Sequence, residues 1–463
     1  MSTDWPKTLE LYCAYYTKIK AQVGIVISII VDHESPLWRP ARVPAMVPSS
    51  PTQVTRPPSS PSQVTHRIHG QAYDLTEWLP LHPGGAHLLE ITRGTDCTEL
   101  FESYHAPSLK EKHIRSTLKQ YVVEGVEPTS TTYEWSDTPV YDDLKRVVRA
   151  YRRLHGIKAT DSWAALAWLS LWGLVHYAAL ATWLLGRGGW PNAVVLGCSL
   201  WWWSGSLVHD GTHYALAYRS AASAWVGWLG GWMFCLPSAW LRQHVTGHHV
   251  HTNVEGRDPD LYHFKLAFRV APFSAPGNKP LLAAVAPCLT QIVPWLLDSY
   301  LLWSRGRVKG TRQRVSWGPG ERRQVGVSLV VSVAVVLRGI AAHRWAGLAP
   351  FGVVGVLFYA FSQVSHLSAA SFEKPKSKEW AIQQIATTRG DYAYRSHLWN
   401  LLSVGLNNQA VHHCFPSVHP CHYPALCRLL QPIFAKHGLP RNGWEHTYWD
   451  ALRLHLAHLR ALN

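Results

Sequence analysis

The stretch His244-Val245-Thr246-Gly247-His248-His249 decides how the rest of this chain is read. Two similar clusters accompany it, His209-Asp210-Gly211-Thr212-His213 upstream and Gln409-Ala410-Val411-His412-His413 downstream. On a helix, residues i and i+4 share a face, so His209/His213 and His244/His248 can each offer two imidazoles to one centre. The adjacent His249 or His413 lies roughly 100° round the axis and can reach a second metal. A single such histidine is equally well explained as a hydrogen-bonded core or interfacial residue. Three clusters near the ends of apolar segments are not, because ionisable groups at a membrane boundary are costly without a function.

Outward from the clusters, much of 161–208, 222–239, 281–303 and 325–365 is apolar with few charges, while residues 1–160 are polar and mixed. The near-neutral mean hydropathy hides this segregation. Runs of about 20 apolar residues cross a hydrocarbon core, and the 24 Trp, crowded at places such as Trp201-Trp202-Trp203, suit the membrane–water boundary. Residues 162–186 and 190–208 read as two spans joined by Gly186-Arg187-Gly188-Gly189. Glycine-rich 222–239 reads as interfacial. The segment 281–303, with Pro287, Pro294 and Asp298, reads as interfacial or re-entrant, a full crossing being the alternative. Residues 325–342 and 346–365, parted by His343-Arg344-Trp345, form a second hairpin. About four transmembrane helices result, and their parity brings all three clusters, together with His366, to one side. The basic loop carrying Arg305, Arg307, Lys309, Arg312, Arg314, Arg322 and Arg323 makes that side cytosolic.

The formal charge of +15 fits basic loops facing anionic lipid. With no recognition module or zinc-finger spacing, nucleic acid is not an expected partner. The 8 Cys are scattered without a CxxC pair, as packing residues in a reducing or membrane setting. Residues 23–31 are apolar but too short to span, and Asp4 and Glu10 argue against a transit peptide.

Three parts follow: an N-terminal segment 1–66, a compact mixed region 67–126, and a helical, apolar remainder 127–463. Within the first, 39–66 is a Pro/Ser-rich low-complexity stretch, with Pro48-Ser49-Ser50-Pro51 echoed by Pro58-Ser59-Ser60-Pro61, and is expected to be disordered. The mixed region carries His82-Pro83-Gly84-Gly85 on a turn, then helix, then Asp96, Thr98, Phe101 and Tyr104-His105. Two neutral imidazoles on opposing walls of an apolar pocket are what a haem iron held on both faces needs. Leu75, Leu88, Leu89, Leu100 and Phe101 can form the walls, while His87 and His113 read as surface residues.

Ile68-His69-Gly70-Gln71-Ala72-Tyr73-Asp74-Leu75, the HPGG turn and Gly94-Thr95-Asp96-Cys97-Thr98-Glu99-Leu100-Phe101 together resemble the cytochrome b5 family. The resemblance implies a small α+β domain binding b-type haem through His82 and His105. Its first strand, ending at Leu37-Trp38 within 24–38, is separated from its continuation by 39–66, as an inserted loop or a gene-prediction artefact. From about Trp135 onward the chain resembles membrane fatty-acid desaturases, specifically the b5-fused front-end group. Carrying that resemblance are the three clusters, Gln243-His244 through Asp258-Pro259-Asp260, Glu379-Trp380-Ala381, Asn408-Gln409 through Pro416, and His422-Tyr423-Pro424. Gln409 in place of the first His of the third cluster marks the group.

The resemblance implies an all-α integral membrane domain with a di-iron site ligated by His209, His213, His244, His248, His249, His366, His412 and His413. Gln409 would be a weaker ligand or an outer group. His251, His419 and His422 read as neighbours, and Asp210 and Asp258 as imidazole partners or helix caps. The implied reaction is O2-dependent front-end desaturation of a polyunsaturated acyl chain, Δ5/Δ4 favoured over Δ6/Δ8. Electrons would pass from an NADH-cytochrome b5 reductase through the fused haem, at the endoplasmic reticulum with haem domain and clusters facing the cytosol. The alternatives are a b5-fused sphingolipid desaturase and, from another class, a membrane-anchored haem electron carrier with inactive boxes.

Overall fold

The computed structural model describes residues 64–231, 235–262, 269–273, 292–308, 315, 317, 320–373, 377–440 and 446–463. The strand expected within 24–38, nearly all of the Pro/Ser-rich stretch, and 281–291 of the expected re-entrant segment lie outside them.

At the N-terminal side, His69-Gly70 is a two-residue turn with both φ angles positive, 53° and 74°, the geometry that matches hairpin twist. It joins β1 (His66–Ile68) to β2 (Gln71–Tyr73) in antiparallel register, Ile68 opposite Gln71. Helices α1 (Ala86–Ile91), α2 (Thr98–His105) and α3 (Glu111–Lys119) pack around this hairpin. Ile68, Tyr73, Leu75 and Cys97 form the buried centre, with Leu89, Leu100 and Phe101 against it. Four of the five expected wall residues therefore sit in this small core.

Helix α4 (Pro139–His155) follows, started by a proline whose missing N–H costs nothing there. One face packs with Trp380, Phe415 and Leu426 in a second core. The other reaches the small domain, where Arg149 Nε donates to Ala106 O at 2.8 Å and Arg152 Nη1 to Pro107 O at 2.7 Å.

Helix α5 (Trp163–Leu184) is apolar all round and long enough to cross a membrane. The chain returns through an unbroken helical run: α6 (Gly189–Ser199), a π-helical segment Leu200–Gly205, and α7 (Ser206–Thr212). Helix α8 (Ser220–Gly231) crosses α7 closely, because a side chain at Gly211 would lie 2.5 Å from the Gly227 Cα. A second π-helical segment, Leu241–His248, carries the central cluster.

Helix α9 (Ile292–Arg305) is the described part of the expected re-entrant stretch. The apolar run Glu321–Ser362 is 42 residues long, the second candidate span. It is broken at Arg344, whose φ is 57°, into α10 (Glu321–His343) and α11 (Ala349–Ser362). Gly347 packs directly on the Gly339 backbone, so the chain turns back at this break. Leu174 and Val330 are 75% and 68% exposed, as lipid-facing side chains would be. Short helices α12 (Trp380–Ala386), α13 (His397–Leu402) and α14 (Gln409–Cys414), then α15 (Tyr423–Lys436) and α16 (Tyr448–Leu462), complete the chain.

Candidate functional site

The His82 and His105 rings face one another with centroids 6.3 Å apart and planes at 70°. Gly85 enters α1 at φ 96°, a conformation that favours glycine. A side chain at Gly84 would meet the His82 ring at 2.6 Å. The Pro-Gly-Gly turn thus both bends the chain and makes room for the imidazole. His82 Nδ1–H donates to Gly85 O at 3.2 Å, and His105 Nδ1–H to Phe101 O at 2.7 Å. With Nδ1 occupied, each ring has its Nε2 left for a ligand. Burial lowers both pKa values, that of His105 to about 4 against a weaker pull from the Phe101 carbonyl. Two neutral imidazoles in this posture fit a haem iron between them. His113 is exposed. His87 is half-buried, close enough to the Arg242–Glu321 ion pair to feel both charges, so it faces the helical domain rather than solvent.

The histidines of the three clusters and His366 converge at the ends of the apolar helices in two adjoining groups. His209, His213, His244 and His412 have ring nitrogens within 4.8 Å of one another, as do His248, His366 and His413. His249 joins them, 4.6 Å from His412 and 4.2 Å from His413 by centroid. In the central cluster His244 and His248 stack with centroids 5.3 Å apart and form a further group with Asp260. On the π-helical segment the i→i+5 neighbour also lies over residue i, so His244 and His249 meet Nε2 to Nε2 at 3.1 Å. His248 also faces His366 and His413, at 4.8 and 5.0 Å by centroid.

Most of these rings are held from behind. His209 Nδ1 is bonded to Asp210 at 2.9 Å, His248 Nδ1 to both oxygens of Asp258 at 3.1 Å, and His366 Nδ1–H to Thr387 O at 3.2 Å. His412 Nδ1 meets the Tyr423 phenol at 2.9 Å, whose O–H donates to Val418 O. His413 Nδ1 meets Gln384 Oε1 at 2.9 Å. Buried Nε2 atoms of His213 and His413 have no hydrogen-bond partner. That pattern, one nitrogen anchored and the other presented to a shared space, fits metal ligation. Burial and the neighbouring rings push His213, His249, His412 and His413 well below the usual imidazole range, and His244 to about 3. Neutral rings are what a metal requires. His248 is the exception: burial lowers it, but Asp258 and Asp260 outweigh that and raise it to about 9.

Gln409 lies beside this group with its buried Oε1 unpartnered, and its backbone N–H caps onto Asp391 at 2.9 Å. His209, His244, His248, His366 and Gln409 line a cleft of about 690 Å³, together with Asp258, Asp260, Trp201, Leu261 and Phe358 among others. His419 is bonded to Asp210 at 3.3 Å, behind His209, and His422 is tied to Lys158 O. Sequence reading missed Tyr104, which meets His213 Nδ1 at 2.8 Å, and also Gln384 and Tyr423 as ring partners. Tyr104 and Tyr423 were visible only as parts of quoted motifs.

Residues 188–444 match the family model for fatty acid desaturases, and residues 59–126 match that of the cytochrome b5-like haem/steroid-binding domain. The chain belongs to the fatty acid desaturase family and is an oxidoreductase. A cytochrome b5-like domain precedes the desaturase region in the same chain. Delta(5) fatty acid desaturase A of Dictyostelium discoideum is 28% identical over 85% of this chain and 89% of its own length. An acyl-lipid omega-13 desaturase of Chlamydomonas reinhardtii is 29% identical over 83% and 91%, and an acyl-lipid (8-3)-desaturase of Physcomitrium patens 28% over 85% and 87%.

Proposed function

We propose that the two histidine groups hold a pair of iron ions and that the chain desaturates polyunsaturated acyl chains on the carboxyl side of an existing double bond. The observation that carries this is the convergence of His209, His213, His244, His248, His249, His366, His412 and His413, four of which (His209, His244, His248 and His366) line a cleft with Trp201, Leu261 and Phe358. Bound iron supplies dioxygen activation and hydrogen abstraction from two neighbouring CH2 groups. The chain's own part is positional. Asp210, Asp258, Thr387, Tyr423 and Gln384 orient the rings, and the aromatic cleft wall excludes water and aligns the acyl chain. Gln409 reaches the same space with an unpartnered carbonyl oxygen, suited to a weak ligand or an outer group.

His82 and His105 would hold the haem between them, and the bound group would supply single-electron transfer from an external NADH-cytochrome b5 reductase. The two helical hairpins make about four membrane crossings, with clusters and haem domain on the cytosolic face of the endoplasmic reticulum. Regiochemistry is read as Δ5 or Δ4 before Δ6 or Δ8, supported by the name of the Dictyostelium relative. Expression in yeast fed C18, C20 and C22 polyunsaturated acids, with double bonds located by mass spectrometry, tests the reading. New bonds on the carboxyl side of C20 or C22 substrates are expected. Desaturation confined to the sphingoid base would overturn the substrate class.

A further inference from the structure

His209, His248, His366, His412 and His413 each have Nδ1 hydrogen-bonded to a group of the desaturase domain. The Nδ1 of His213 is held differently. Its partner at 2.8 Å is the phenol of Tyr104, which belongs to the haem domain and directly precedes His105. The Tyr104 and His213 rings lie nearly parallel, 15° apart in plane with centroids 6.4 Å apart. His213 is fully buried, and its Nε2 has no hydrogen-bond partner.

An imidazole that binds metal through Nε2 carries its proton on Nδ1 and donates it outward. For His213 the acceptor of that proton is the Tyr104 oxygen. The phenol is well placed for the task. Helix α2, which carries it, is secured at its C-terminal end by Arg149 and Arg152 of α4, which donate to Ala106 O and Pro107 O. On the opposite side of the haem site, Ser220 Oγ donates to Pro83 O at 3.0 Å.

We infer that Tyr104 is a positioning residue for the metal centre: the docked haem domain accepts the His213 Nδ1 proton, fixes that ring's tautomer and orientation, and completes the outer shell of the desaturase site. The domain is therefore a structural part of the metal site as well as an electron donor. The inference rests on reading His213 as a ligand.

The test uses the full haem-loaded chain in detergent and cobalt(II), whose binding by equilibrium dialysis is not obscured by haem iron. Tyr104→Phe removes only the hydroxyl. It should weaken cobalt binding by about 10–100-fold, the usual cost of losing an outer-shell partner, with the haem Soret band unchanged. Tyr104→Gln restores an acceptor oxygen and should bring affinity back to within about threefold of wild type. His213→Ala is the control. If it weakens binding while Tyr104→Phe does not, the inference falls and the ligand reading stands. If neither variant weakens binding, His213 is not a ligand and both fall. Should Tyr104→Phe also lose haem, Tyr104→Gln decides: haem and cobalt recovered together support the inference, haem without cobalt overturns it.

Discussion

The His82–His105 pair and the histidine clusters both bring buried imidazoles together around a shared space, but by opposite means. His82 and His105 come from a turn and a helix close in sequence, and each anchors Nδ1 on a carbonyl of its own turn or helix. Secondary structure alone aims them. At the cluster site the rings come from segments as far apart as His209 and His413, and their anchors are mostly side chains from other elements. There, aim depends on tertiary packing. A site aimed by local backbone survives damage elsewhere in the chain, while a site aimed by long-range side chains inherits every packing error around it.

The largest effects should separate the two sites by the histidines that each uses. His248→Ala or His412→Ala removes a member of the cluster site and should abolish product and lower metal content, while leaving a normal low-spin haem spectrum. His82→Ala or His105→Ala should abolish the b-type spectrum yet leave cobalt binding at the clusters near wild type. A normal haem spectrum in His105→Ala would move the haem to another histidine, and full turnover in His248→Ala would end the metal reading. Next in size, Tyr423→Phe deletes the acceptor behind His412 without changing the shape of the ring. It should cost about 10–100-fold in metal affinity, with haem content as the internal control. Smaller again, Gly84→Ala pushes a methyl to 2.6 Å from the His82 ring. Haem should bind more weakly, seen as faster transfer to apomyoglobin, with cluster metal unaffected.

The same contrast explains what was legible in the sequence. The HPGG turn and Tyr104-His105 encode their geometry locally, so both haem candidates could be named from the chain. The cluster histidines were also legible, as residue types at telling spacings. Their pairing was legible in part. The i, i+4 spacing puts His244 with His248, and the two rings stack 5.3 Å apart, but the π-helical winding of Leu241–His248 also brings His244 to His249. The partners behind the rings were legible only where sequence-adjacent or nearby. Asp210 and Asp258 were flagged, and Asp258 serves both readings offered for it, holding His248 while accepting from the Asn253 and Asp260 backbones. Tyr104 and Gln384 lie 109 and 29 residues from the rings they hold, and no local pattern announces such a contact.

The smallest expected effect probes how self-sufficient the haem domain is. Glu102 is buried at 5% exposure on α2, bonded to His69 at 2.8 Å and paired with Arg115 at 3.1 Å. Burial alone would raise its carboxyl pKa, but the His69 hydrogen bond and the Arg115 charge outweigh it and hold the group at about 2 instead of 4.5. The folded pKa lies below the unfolded one, so as pH falls the unfolded chain binds this proton first. The stabilisation is fully present above about pH 4.5 and is lost as pH drops toward 2. Because Arg115 is 42% exposed, solvent screening trims the contribution to on the order of 2 kcal/mol. Glu102→Gln keeps the shape and an acceptor for His69 but carries no charge. Denaturant unfolding of the full chain, followed at the Soret band, should show the variant less stable than wild type at pH 7, the gap closing between pH 4.5 and 2. Cobalt affinity at the clusters should be unchanged at neutral pH. A gap that stays constant across the range would mean that Glu102 acts through packing, not charge. A parallel loss of cobalt binding would show that disturbing α2 reaches the clusters through the Tyr104–His213 contact.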